Sequence, residues 1–190
     1  HRSIEKMCEA STYRNFIYLT SRMDYLSAHM NNQACSMAVE KGLQLEIPPR
    51  AKIIRVLMSE LTRIASHTLW WGAMGLDLGA VTPFFVGFRD REDILDIFEE
   101  SCGARLTMNY NVPGGVMYDI HPNFQRKVKE FLVNFKKRYH EYDELLTGNV
   151  ILHERTKGVG YISEVDAVSY GCSGPVARAS GVSCDIRKWH

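Results

Sequence analysis

The sequence of 190 residues is 45% hydrophobic and 24% charged with a formal net charge of +1, a composition that suits one compact domain with a substantial core and offers no basic field to gather nucleic acid or an anionic membrane. Five cysteines make an odd set without a C-x-x-C pair, so neither a disulfide framework nor a zinc knuckle is supported, and buried free thiols in a reducing compartment are the simpler reading. No run of about 18 apolar residues is present to span a membrane, and the opening HRSIEKMCEA lacks the apolar core of a signal peptide.

Taken in chain order, Ser21 followed by Asp24 has the form of a capping box, and Met23, Leu26, Met30, Ala34, Met37 and Ala38 recur at helical spacing, which predicts a helix up to Gly42. Pro49 suits the first turn of a second helix, where Ile53, Ile54, Leu57, Met58, Leu61, Ile64, Ala65 and Leu69 draw an apolar stripe as far as Gly72. Glycines 72, 75 and 79 allow backbones to approach closely, and Thr82-Pro83 has the form of a cap and first helical residue. A third helix is predicted from there to about Gly103, with Phe84, Phe88, Ile94, Leu95, Phe98 and Cys102 inward.

NVPGGV is a turn. His121-Pro122 then opens a fourth helix, whose Phe124, Val128, Phe131, Leu132, Phe135, Tyr139, Tyr142 and Leu146 keep the helical period up to Gly148. Beyond it the pattern predicts a helical piece at 149–156, a strand at 159–162 and a capped short helix from Ser163 to Gly171, and the final stretch has no period. Four amphipathic helices with short connections predict a mainly α fold, a helical bundle core with little β, forming a single domain over 1–190. The abrupt, irregular ends read as those of an excised piece of a longer chain.

Motifs for nucleotide binding, zinc or serine hydrolysis and iron–sulfur ligation are absent, so chemistry must be sought among individual ionisable residues. Asp77, between Leu76 and Leu78, is expected either to bond local backbone amides or to find a partner, because an acid in apolar surroundings is otherwise pushed toward its neutral form. His29 and His67 read as packing residues on helices, with a titrating role as the alternative. Tyr25 is either a packing residue or a neutral phenol able to bond a carbonyl oxygen and release a proton to it. FRDRED at 88–93 and the charged face of the fourth helix read as solvated surface, while Arg22, Arg105 and Arg178 stand where ordinary ion pairs or contacts to an anionic group are both conceivable.

The stretches HRSIEKMCEASTYRNFIYLTSRMDYLS, PPRAKIIRVLMSELTRIASH, LDLGAVTPFFVGFRDRE, GARLTMNYNVPGG and SGPVARASGVSCDIRK together resemble the 49-kDa, or D, subunit of respiratory complex I, the proton-pumping NADH:quinone oxidoreductase. The resemblance runs through the whole chain and implies the central part of that subunit, without its β-rich N-terminal portion, which carries the quinone-site histidine, and without its C-terminal portion. It implies a peripheral subunit on the cytoplasmic side of a bacterial inner membrane or the matrix side of the mitochondrial one. It also implies, as partners, the small subunit of PSST or B type that holds the terminal [4Fe-4S] cluster, a 30-kDa or C-type subunit and a membrane-arm subunit at the quinone entrance.

In that family Tyr25 matches the tyrosine that donates a hydrogen bond to the quinone head group, Asp77 the acid that pairs with the quinone-site histidine, and Arg2 an arginine beside the cluster. Quinone is then the substrate, NAD binds elsewhere in the complex, and no metal or cofactor is held by this chain alone. Two positions depart from the family: Thr107 replaces a histidine in GARMH, and Val112 stands where relatives have arginine before PGG. The alternative is a scaffold related to the large subunit of membrane-bound [NiFe] hydrogenases. Asp24 and Ser27 occupy the two positions where those proteins carry nickel-binding cysteines, and neither supplies the soft thiolate that nickel requires.

Overall fold

The computed structural model describes residues 3–188, so Arg2 lies outside the described residues. The chain is mainly α, as expected: α1 (Ile4–Glu9), α2 (Tyr13–Thr20), α3 (Ala28–Leu43), α4 (Pro49–Asp77) and α5 (Val81–Cys102) precede a small hairpin, β1 (Asn111–Val112) and β2 (Gly115–Val116). Then come α6 (Phe124–Tyr142), a π-helical turn (Asp143–Thr147), α7 (Val150–Thr156), α8 (Glu164–Ser169), α9 (Gly174–Ala179) and a closing 3-10 turn (Ile186–Lys188). No helix among the described residues is long and apolar enough to cross a membrane.

The helix expected from Ser21 does not begin there. The chain is instead still finishing α2, with the Ser21 hydroxyl donating back to Tyr18 O and the Thr20 hydroxyl to Ile17 O. With these hydroxyls turned back onto the preceding turn, residues 21–27 form turns and α3 starts only at Ala28. The third helix likewise starts at Val81, with Ala80 extended at its N-cap. Pro83 is tolerated in that first turn because the leading N–H groups of a helix have no intrahelical acceptor.

Helices α4 and α5 form an antiparallel pair whose contact depends on the glycines. A Cβ at Gly72 would lie 3.0 Å from Phe84 Cα, one at Gly75 2.9 Å from Pro83 Cβ, and one at Gly87 only 2.4 Å from Thr68 O. Against this pair Ile54, Met58, Leu61, Ala65, Ile94, Leu95, Ile97 and Phe98 make the core, closed by Met108 and Tyr110 and by Phe124 and Phe131 of α6. Leu132 and Tyr139, expected inward, are exposed, because the buried stripe of α6 runs through Phe124, Val128, Phe131, Phe135 and Tyr142 and both lie to one side of it. The hairpin pairs Asn111 with Val116 and Val112 with Gly115, so the expected NVPGGV turn is its tip.

The described residues form two compact units, one ending at Leu146 and the other beginning at Thr147. The second is small, with Ala167 of α8 and Ala177 of α9 at its buried centre and the Ser163 hydroxyl accepting from Asp166 N–H as the predicted cap. The strand expected at 159–162 is not formed. Gly158 and Gly160 take positive φ values of 75° and 70°, a left-handed backbone that cannot continue a β ladder.

Candidate functional site

Tyr25 sits in the turn between α2 and α3. Asp24 organises that turn: its carboxylate oxygen Oδ1 accepts from Leu26 N–H at 3.2 Å, and its backbone oxygen accepts from Ser27 N–H at 3.0 Å and from the side-chain amide of Asn31 at 2.9 Å. Arg22 folds back to donate to Tyr18 O at 2.5 Å rather than to an anion. Tyr25 itself is 57% exposed, and its phenol makes no hydrogen bond among the described residues. Tyr25 is thus exposed on a turn rather than packed on a helix face. Asp24 and Ser27, the positions of the absent thiolates, take part in backbone turn hydrogen bonds instead.

Asp77 is the last residue of α4, where the aligned peptide dipoles disfavour a negative charge. The helix closes by Leu78 N–H donating to Met74 O at 3.1 Å, Gly79 N–H to Leu76 O at 2.9 Å and Ala80 N–H to Gly75 O at 2.8 Å, with Gly79 at φ 89°. Contrary to the expectation of an apolar setting, Asp77 is exposed, and its side chain bonds no amide and meets no cation among the described residues. Tyr25 and Asp77 thus lie at two separate turns of the first unit, each with its polar group unengaged among the described residues.

The two histidines divide. His67 is exposed, whereas His29 is fully buried against the rings of Phe98 and Tyr110, with its Nε2 3.9 Å from Cys102 Sγ. Burial pushes the His29 pKa down to about 3 and the Cys102 thiol up to about 12, so His29 is a neutral packing residue at ordinary pH. All five cysteines are free. Four are half-buried and Cys184 is exposed, so the expectation of buried thiols holds only in part. Arg105 is held by Asp96 at 2.6 Å, Glu99 at 2.9 Å and Glu92, an ordinary surface cluster, and Arg178 is exposed. Among the described residues no three His, Cys, Asp or Glu side chains converge as a metal site would require.

Two buried ionic groups escape the sequence reading. Glu40 and Arg55 pair beneath the hairpin tip. Asp90, part of the supposedly solvated FRDRED, is fully buried, accepting from Arg89, from Arg138 at 2.6 Å and from Tyr142 Oη at 2.8 Å, with Arg91 also buried beside it. A charge on an otherwise apolar stripe was the available signal for Arg55, which follows Ile54 and precedes Met58 by three positions. Val112, the position that departs from arginine, contributes its backbone oxygen to Arg55 at 2.8 Å, and Thr107 is half-buried.

A family profile described as respiratory-chain NADH dehydrogenase, 49 Kd subunit, matches residues 77–190. The C/D subunit of the NADH-quinone oxidoreductase of Bacteroides thetaiotaomicron is 55% identical over 188 residues, covering 99% of this chain and 36% of that protein. The D subunits of the NADH-quinone oxidoreductases of Clostridium beijerinckii and Bacillus cereus are 47% and 49% identical over 188 residues, covering 99% of this chain and 51% of each relative. The chain therefore spans about a third to a half of the length of these curated relatives.

Proposed function

Because the chain belongs to the family of the 49-kDa subunit of respiratory-chain NADH dehydrogenase, we propose that it lines the quinone-reduction pocket of a proton-pumping NADH:quinone oxidoreductase. In this reading it packs as a peripheral subunit against a small subunit whose [4Fe-4S] cluster supplies the electrons, with a C-type subunit and a membrane-arm subunit as further neighbours. NAD binds elsewhere in the complex, and this chain alone is inactive.

The observation that carries the proposal is the phenol of Tyr25, exposed and without a partner among the described residues, on a turn held by the hydrogen bonds of Asp24. Reduction of a quinone adds two electrons and two protons, and negative charge develops on the carbonyl oxygens. A phenol hydroxyl donates a hydrogen bond to that oxygen and can yield its proton as the charge grows. Asp77, at the end of α4 and lacking a cation or donor among the described residues, would take up a partner from another part of the complex and relay the change in protonation. Arg2 would stand beside the neighbour's cluster.

The test is Tyr25→Phe in the assembled complex. Quinone reduction falls by about a hundredfold or more, the usual size of a lost proton-transfer group, while reduction of the cluster by NADH is preserved. Unchanged turnover with the native quinone would remove Tyr25 from this role. Stoichiometric nickel in the purified complex would favour the hydrogenase-like alternative.

A further inference from the structure

We propose that Asn31 is a positioning residue for Tyr25, acting through the main chain of Asp24 to aim an exposed phenol at its ligand; this rests on the quinone-pocket reading above. A residue's backbone direction is set by its two soft dihedrals, which are fixed once the peptide planes on either side of it are fixed. Both planes flanking Tyr25 are anchored. The plane before it carries Asp24 O, which accepts from the Asn31 side chain at 2.9 Å and from Ser27 N–H at 3.0 Å. The plane after it carries Leu26 N–H, which donates to Asp24 Oδ1 at 3.2 Å.

Asn31 lies in the first turn of α3, with its own N–H bonded to Ser27 O at 3.1 Å, so the anchor stands on a regular helix rather than on the turn it restrains. Tyr25 has no ring contact and no hydrogen bond among the described residues to hold it by its side chain. Its Cα–Cβ direction therefore depends on this clasp. Misplacing a donor by a fraction of an ångström weakens a step that needs it in line with the reacting oxygen.

The experiment is a double-mutant cycle in the assembled complex, with NADH as donor and a decyl-substituted benzoquinone as acceptor. Asn31→Leu, which keeps the volume and removes the donor, lowers kcat/KM about tenfold. Asp24→Asn, which retains the Oδ1 acceptor, stays within about twofold, and the Tyr25→Phe/Asn31→Leu double variant is no slower than Tyr25→Phe alone. A purely structural role would give the same proportional loss in both backgrounds, and that outcome, or an unchanged rate in Asn31→Leu, overturns the proposal while leaving the quinone pocket intact. An unchanged Tyr25→Phe overturns the pocket reading and this proposal with it. Should Asn31→Leu fail to assemble, Asn31→Asp, which keeps the shape and replaces the donating amide by an acceptor oxygen, is read in the same cycle with the same criteria.

Discussion

Glu40 and Arg55 form a two-pronged ion pair, 3.0 and 2.6 Å across its two hydrogen bonds, with only 4% and 3% of their surfaces exposed. The pair does more than join α3 to α4. Arg55 also donates to Val112 O at 2.8 Å and to Gly115 O at 3.1 and 2.8 Å, and Glu40 Oε1 accepts from Gly114 N–H at 2.8 Å, so two buried side chains hold three backbone groups of the hairpin tip. Burial pushes the Glu40 carboxyl up, but the Arg55 and Gly114 hydrogen bonds outweigh it and hold the acid below its ordinary range. Arg55→Leu leaves a buried carboxylate and two carbonyls unmatched and is expected to cost about 3–5 kcal/mol. Hydrogen exchange in the assembled protein reads this as faster exchange at residues 111–116. Arg55→Lys does not restore protection, since one ammonium lacks the planar fork that reaches both the carboxylate and the two carbonyls.

His29 makes stability depend on pH. Its folded pKa is held at about 3 by burial, whereas in the unfolded chain it titrates near 6.5. As pH falls below about 6.5 the unfolded state takes up a proton that the folded state refuses, so stability falls by about 1.4 kcal/mol per pH unit until the folded group itself titrates. Denaturation between about pH 7 and pH 5 should show a loss of about 2 kcal/mol from this residue, and His29→Met should remove that part of the slope. The same slope in both proteins would count against a neutral buried imidazole.

Asp90 acts at lower pH, in the same direction. Burial raises its pKa, but the hydrogen bonds from Arg89, Arg138 and Tyr142 prevail and hold it below the ordinary value. A depressed carboxylate contributes fully above the unfolded value of about 3.9, and its contribution is lost as pH falls further, through the folded value. Tyr142→Phe removes one donor to this charge and keeps the ring against Trp71 and Phe135, at an expected cost of about 1.5–3 kcal/mol at neutral pH. The difference between the proteins should shrink once the pH is low enough to protonate Asp90.

Two glycine substitutions should have opposite signs. Gly87→Ala drives a methyl into Thr68 O and forces α4 and α5 apart, costing about 1–3 kcal/mol or more. Gly42→Ala, in α3 with nothing within 4 Å of the new atom, should instead stabilise by about 0.5–1 kcal/mol through reduced backbone freedom of the unfolded chain. Thermal unfolding of each variant checks both.

The helices, their stripes and the close glycine approach were legible in the sequence because each depends on residues three or four apart, or on a missing Cβ, and both are local properties. Ile54, Met58, Leu61 and Ala65 of the predicted stripe form the buried face of α4, while Ile53 and Leu57 at its margin are exposed. The resemblance to the 49-kDa subunit made Tyr25 a candidate, and the fold puts its side chain exposed on a turn rather than packed on a helix. Tertiary structure alone decided which charges are internal. Glu40 meets Gly114 across 74 positions and Asp90 meets Tyr142 across 52, and the same acids on an isolated helix would lie in water. A charge is buried or solvated according to the partners that packing brings to it, and residues so far apart in the chain carry no spacing from which that partnership can be read.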